Sequence, residues 1–195
     1  MTSRAPSAPS ALTSRQHAKA ERTAQLLRAA SHLFAERGYA AVSIGDVGSA
    51  VGISGPALYR HFRSKPALLG AVLIDISERL LAGGTTRSGS LTELISFHAD
   101  FSLSEPDRIR IYERDLAHVG PDEARLVRRL QRQYVDVWVA ALIATVPGTT
   151  EGLARFRAQA VISLLNSTPH TMNTRLADPR AELIALAHGA LGIYG

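Results

Sequence analysis

Three helix-start signals crowd into the short stretch Ser43–Lys65, and a glycine parts the first from the second. Ser43 with Asp46 makes a capping box. The serine oxygen takes an orphan N–H of the first turn, and the acid returns a bond to the serine backbone. Ser54 and Ser64 repeat the signal, each two residues before a proline, Pro56 and Pro66. Proline is tolerated in a first helical turn and hardly anywhere else in a helix. Gly52 stops the first of these helices early. Two short helices joined by a tight turn cannot enclose their own apolar residues, so Ile44, Val47, Ile53, Leu58 and Phe62 need a third helix to lie against. Leu26, Leu27, Ala30, Leu33 and Phe34 supply one at helical spacing, and Gly38 ends it.

Such a trio is a helix-turn-helix, and its second short helix, Gly55–Phe62, is expected to enter a major groove. The outward face then carries Ser54, Gly55, Ala57, Tyr59, Arg60 and His61, with Lys65 just beyond. Tyr59 and His61 can donate to phosphate and Lys65 is a point charge. Gly55, Pro56 and Ala57 are small and allow close approach. Charge points the same way: residues 1–82 hold ten Lys/Arg against five Asp/Glu, whereas residues 83–195 hold twelve of each. A basic lobe joined to a neutral one suits a chain with one end on a polyanion. On the residues alone, a helical hairpin with a merely solvated polar face stays open.

Helical spacing continues to the end of the chain, with no alternating strand and no repeat. The fold class is therefore all-α, with about nine helices. Residues 1–14 are too poor in apolar side chains to order themselves and read as a disordered tail; a basic arm through Arg4 and Arg15 is the other reading. Residues 15–64 form the helix-turn-helix domain and 65–82 a linking helix. Residues 83–195 form a second helical domain, with starts at Ser90, Pro106, Gly120-Pro121, Thr150 and Asp178-Pro179.

Residues 20–70 resemble the N-terminal domain of the TetR family of bacterial regulators. The likeness lies, in order and without a gap, in Phe34–Gly38-Tyr39, Ser43-Ile44, Asp46-Val47, Val51–Ser54, Leu58–Phe62, and Lys65 with Leu68-Leu69. The resemblance implies that Ser43, Tyr59, His61 and Lys65 hold phosphates. It also implies that Gly55, Pro56, Ala57 and Arg60 face bases or flank them. Gly45 departs from it, standing where many members carry a long side chain, and Gly48 replaces the usual alanine. Base reading is thus expected to rest on residues 54–60 and on DNA shape.

The same resemblance implies a ligand-binding and dimerisation domain beyond residue 85. Two late helices, one with Leu153, Phe156, Ala160, Val161, Leu164 and Leu165 and one with Leu183, Ile184, Leu186, Ala187, Ala190 and Leu191, are apolar on more than one face. They are expected to pair with their copies in a homodimer. Ligand contacts are expected from Phe97, Phe101, Tyr112, Tyr134, Trp138, Asn166 and His170, an apolar cavity with a few polar anchors. Arg125, Arg128, Arg129 and Arg132 share one helix face. They suit either a phosphate-bearing ligand or a solvated surface with local pairs to Asp122 and Asp136. Tyr112–Arg114, Gln131-Arg132, Tyr134 and Trp138 loosely resemble actinobacterial regulators of lipid and steroid catabolism, which implies a lipid or acyl-CoA-like effector.

No catalytic constellation, cofactor motif or metal-ligand spacing emerges, and Asp75 and Glu78 beside Arg79 read as surface. The chain has no cysteine, which excludes thiolate chemistry. It shows no signal-peptide core and no apolar run long enough for a bilayer, so a soluble cytoplasmic protein is expected. The expected function is that of a homodimeric repressor. It would sit on a palindromic operator of double-stranded DNA and leave it when a small, largely apolar effector binds. A ligand-dependent activator, and a ligand-binding module with weak or lost DNA binding, stand as alternatives.

Overall fold

The structure is a computed structural model that describes residues 14–171 and 176–193. Among these there are ten α-helices, one 3₁₀ turn at Leu116–His118, and no strand. The helices are α1 (Ser14–Arg37), α2 (Ile44–Ala50), α3 (Gly55–Tyr59), α4 (Lys65–Thr85), α5 (Leu91–Ser104), α6 (Pro106–Arg114), α7 (Pro121–Thr145), α8 (Glu151–Leu165), α9 (Thr168–Thr171) and α10 (Pro179–Leu191). The tail expected at 1–14 lies almost wholly outside the described residues, as do Arg4 and the side chain of Arg15.

The capping chemistry read from the sequence sets the helix starts. Ser43, Ser54, Ser64, Ser90, Thr150 and Asp178 each accept from a backbone N–H in the first turn of the helix that follows. Where α8 was expected to end before Pro169, the chain starts one further helical turn, α9, around that proline. The linking helix runs to Thr85, three residues past the expected end, because Gly83 and Gly84 are packing sites and not a stop. A Cβ on Gly83 would lie 2.1 Å from the Phe97 ring, and one on Gly84 2.6 Å from that of Tyr134. The two glycines let α4 lie close against aromatic side chains of α5 and α7.

One apolar cluster runs through the molecule. Leu26, Phe34, Val47 and Leu58 form its DNA-lobe end, Leu68, Leu73 and Ile76 its middle, and Leu94, Trp138, Val161 and Leu165 its far end. Each such side chain contributes about 1.5–3 kcal/mol when fully buried. The long helices α4 and α7 share the most extensive packing, and α1 lies against both α4 and α6. So α4 and α6 belong to the second lobe yet also support the first.

Polar ties reinforce that seam. Arg114 Nη2 donates to the Phe34 carbonyl at 2.7 Å, and His32 Nδ1 lies 3.0 Å from Asp107. Asp75, expected at the surface, instead pairs with Arg108, whose side chain is only 4 % exposed. Glu105 joins the same guanidinium at 2.9 Å and also pairs with Arg79. A spacing pattern on one helix could not reveal partners supplied by another.

Candidate functional site

The turn between α2 and α3 is built by main-chain bonds. Val51 N and Ile53 N both donate to the Gly48 carbonyl, at 3.1 and 2.9 Å, and Gly52 adopts the left-handed conformation at φ +71°. Gly48 is buried there, and a Cβ on it would stand 2.8 Å from the Ile53 carbonyl oxygen. A glycine at 48 lets the two helices close tightly. Ile44, Val47, Leu58 and Phe62 face the core, and Ile53 is half-buried.

Helix α3 is shorter than expected, ending at Tyr59 with Arg60 as its cap residue. Ser54, Pro56, Tyr59, Arg60 and His61 are exposed, and Gly55, Ala57 and Lys65 are partly so. Tyr59 shows 56 % of its surface. Beside it a notch runs between the α1–α2 loop, residues 40–44, and the α3–α4 turn, walled by Tyr59, Arg63, Ser64 and Lys65. Arg63 was not among the expected residues; its exposure next to Tyr59 depends on where α3 stops.

Two notch residues carry bonds of their own. The Ser43 hydroxyl donates to Asp46 Oδ2 at 2.7 Å and accepts from Asp46 N at 3.1 Å. The hydroxyl bond, with a second from the Ser43 backbone N–H at 2.7 Å, holds the Asp46 carboxyl below its ordinary pKa. The Lys65 ammonium donates to the Ala40 carbonyl at 3.1 Å and sits 4.4 Å above the Tyr39 ring. Lys65 thus pins α4 to the α1–α2 loop while leaving donor capacity toward the notch.

A cavity of about 530 Å³ lies in the second lobe, within the usual range for a small-molecule site. Helices α4 to α8 all contribute, with Leu80, His98, Tyr112, Tyr134, Ile162 and Asn166 among the walls. His98 is fully buried; its Nδ1 lies 2.8 Å from the Tyr134 hydroxyl and its Nε2 2.9 Å from Asn166 Oδ1. Burial pushes its pKa down to about 4, so the ring is neutral at pH 7. Burial raises Tyr112 to about 12 and moves Tyr134 upward as well.

Of the seven expected ligand contacts, Tyr112, Tyr134 and Asn166 line this cavity. Phe97 instead packs on Gly83 beneath Arg87, and Phe101 lies under Arg79. Trp138 is wholly buried, edge-on to both His98 and Tyr134. His170 is 69 % exposed and is not part of the wall, though it faces the lining residue Glu113 at 3.6 Å. The cause is the phase of α5, which turns Leu94, Ile95, His98 and Ser102 inward and its phenylalanines toward its neighbours. The missed residue is His98, and its signal was a histidine one turn after Leu94 and Ile95.

The four arginines of α7 are exposed but not alike. Arg125 pairs with Asp122, whereas Asp136 pairs with Arg155 of α8 at 2.8 Å. Arg132 lines the cavity and also an adjoining hollow with Arg125 and Arg129. Phe156 of α8 is 70 % exposed, and Leu153 of the same helix, Leu176, and Leu186 of α10 are exposed as well. Among the described residues no helix is long and apolar enough to cross a membrane.

Residues 26–72 match the model for bacterial regulatory proteins of the tetR family. The HTH-type transcriptional repressor KstR2 of Rhodococcus jostii is 27 % identical over 136 residues, 66 % of this chain and 67 % of that protein. The HTH-type transcriptional activator FasR of Mycolicibacterium smegmatis is 44 % identical over 63 residues, 32 % of this chain but only 29 % of that protein. A tetR-family regulatory protein from Rhodococcus RHA1 superimposes with a TM-score of 0.76 at 20 % identity, covering 89 % of this chain and 96 % of that one. The helix-turn-helix, the all-helical second lobe and these likenesses agree: residues 26–72 form the DNA-binding domain of the tetR family of bacterial regulatory proteins, and the chain that carries it is a transcription regulator.

Proposed function

We propose that this regulator is a homodimeric repressor that leaves a palindromic operator when a small molecule fills the cavity of its second lobe. The observation that carries the reading is that α4 belongs to both sites: Lys65 at its start walls the notch beside Tyr59, and Leu80 near its end walls the cavity. A 21-residue helix is about 30 Å long and stiff, so a displacement at one end is felt at the other.

On the DNA side, Tyr59, His61, Arg63 and Lys65 hold phosphates, and Ser43 joins them when its hydroxyl turns from Asp46. Ser54, Gly55, Pro56, Ala57 and Arg60 lie against base edges. The exposed apolar residues of α8 and α10, Phe156 foremost, meet their copies across a two-fold axis. Such a dimer sets its recognition helices about 34–36 Å apart, the spacing of successive major grooves on one face. An effector that wedges the cavity and tilts α4 binds the off-DNA state better, and by linkage DNA weakens effector binding by the same factor. The protein acts in the cytoplasm, where its operator lies.

The test is selection of a duplex from a random pool, followed by titration across salt concentrations. The double variant Tyr59→Phe with Lys65→Ala is expected to lose affinity and to reduce the salt slope by about one. A variant that binds every duplex as wild type does would remove the docking model.

A further inference from the structure

The polar groups of the cavity restrict what can fill it, granted the reading above that the cavity is the effector site. Only Leu80, Val135 and Ile162 of its lining are aliphatic; Gln131, Gln159, Ser163 and Asn166 are all polar. A plain alkyl chain would strip water from these groups and return no hydrogen bonds.

The buried relay sets the direction of the bonds on offer. A neutral imidazole has one donor and one acceptor nitrogen. The Asn166 oxygen can only accept, so Nε2 of His98 carries the proton, and Nδ1 accepts the Tyr134 O–H. The proton of Tyr134 and the Oδ1 bond of Asn166 are thereby used within the protein. Asn166 is 8 % exposed, and its Nδ2–H₂ donates to no described residue. It therefore presents a donor to the cavity that a ligand oxygen can satisfy.

Charge at the mouth is also specific. Arg155 is held by Asp136 and Glu151, at 2.8 and 3.1 Å. Glu113 faces His170. Arg132 has no carboxylate within ion-pair distance among the described residues, and Arg129 lies beside it on the adjoining hollow. One guanidinium of the lining is thus left uncompensated.

We propose that the effector is an oxygen-bearing organic acid, its acid group paired with Arg132 and a separate carbonyl or hydroxyl oxygen accepting from Asn166. The acid group is a carboxylate of the molecule itself or a phosphate of a carrier attached to it. Both give charge-assisted bonds to a guanidinium.

Calorimetric titration of the full chain tests this with 4-hydroxycinnamate, its uncharged amide, unsubstituted cinnamate, dodecanoate and dodecanoyl-CoA. The hydroxy acid is expected to bind, and the amide and the unsubstituted acid each to bind roughly tenfold more weakly. Arg132→Gln erases the preference for acid over amide without weakening the amide, and Arg128→Gln changes neither. Binding of dodecanoyl-CoA but not dodecanoate, lost in Arg132→Gln, supports the proposal and assigns the acid to phosphate. Dodecanoate binding more tightly than the hydroxy acid, or failure of every probe, overturns it. Binding that persists unchanged in Ser163→Trp, which fills the cavity, overturns the cavity reading itself. Melting curves of each variant confirm that it is folded.

Discussion

Arg114 Nη2 donates to the Phe34 carbonyl oxygen across 2.7 Å, while the same guanidinium grips the buried Asp115 at 2.8 and 2.9 Å. Phe34 lies in α1 and Arg114 at the end of α6, so one side chain ties the helix-turn-helix lobe to the second lobe. It also neutralises a carboxylate that is 3 % exposed. Hydrogen bonding to Asp115 raises the Arg114 pKa further.

Removing this tie tests its worth. Arg114→Met is expected to cost about 1.5–3 kcal/mol of stability, because it strands the buried Asp115 charge, while the Phe34 carbonyl keeps its 3.0 Å bond from Gly38 N–H. Arg114→Met combined with Asp115→Asn should recover part of that. Urea melts of both singles and the double give the coupling; strictly additive losses would show that the pair is not one unit.

Two glycines of α2 should respond in opposite directions. Gly48→Ala forces a Cβ within 2.8 Å of the Ile53 carbonyl, and the turn has to open. A loss of about 1–3 kcal/mol is expected despite a gain in helix propensity of about 1 kcal/mol, with weaker operator binding. The Cβ of Gly45→Arg meets only the Ser43 hydroxyl, at 3.5 Å, an ordinary contact, and the position is exposed. It should fold as well as wild type and bind DNA more tightly. Melting and DNA titration of the two variants side by side decide this; a Gly48→Ala protein as stable as wild type would mean the turn is looser than described.

Acid should loosen the second lobe through His98. Its pKa in the fold is about 4, against 6.5 for a free histidine, so between those values the unfolded chain takes up a proton that the folded chain refuses. Stability therefore falls as pH drops from about 6.5 toward 4, by up to about 3 kcal/mol from this group, and is unaffected by it above 6.5. His98→Gln is expected to melt lower at pH 7 yet lose less on acidification. Parallel pH curves for the two proteins would refute the assignment.

The face around Phe156 should control assembly. Phe156→Glu alters a side chain 70 % exposed in the single chain, so the fold should survive. A dimer that buries this ring from both copies would lose affinity by a hundredfold or more, roughly 3 kcal/mol. Sedimentation velocity over a concentration series measures this; an unaltered dimer would place the interface elsewhere.

Much of the architecture was legible from local chemistry. A cap is a bond between a side chain and a backbone N–H within three residues, so Ser43, Ser54 and Ser64 could announce their helices without knowledge of the rest. The apolar spacing of Leu26 to Phe34 and the stop at Gly52 likewise depend only on near neighbours. The outward-facing residues of this segment follow from that, because α3 is short and its inward face is set by Leu58.

The second lobe was less legible, since its cavity is walled by side chains from five helices whose rotations no single stretch determines. One step in the phase of α5 exchanges Phe97 and Phe101 for His98, and so adds a buried polar group to the cavity wall. The partner of Asp75 and the two roles of Arg132 were hidden for the same reason. Gly48 lies between the two cases. Its presence was plain in the sequence, but the need for it arises only where Ile53 folds back onto α2. The sequence by itself determined where most helices begin, because capping is local. Only the tertiary structure decided which polar groups meet, because burial and pairing are properties of helices packed together.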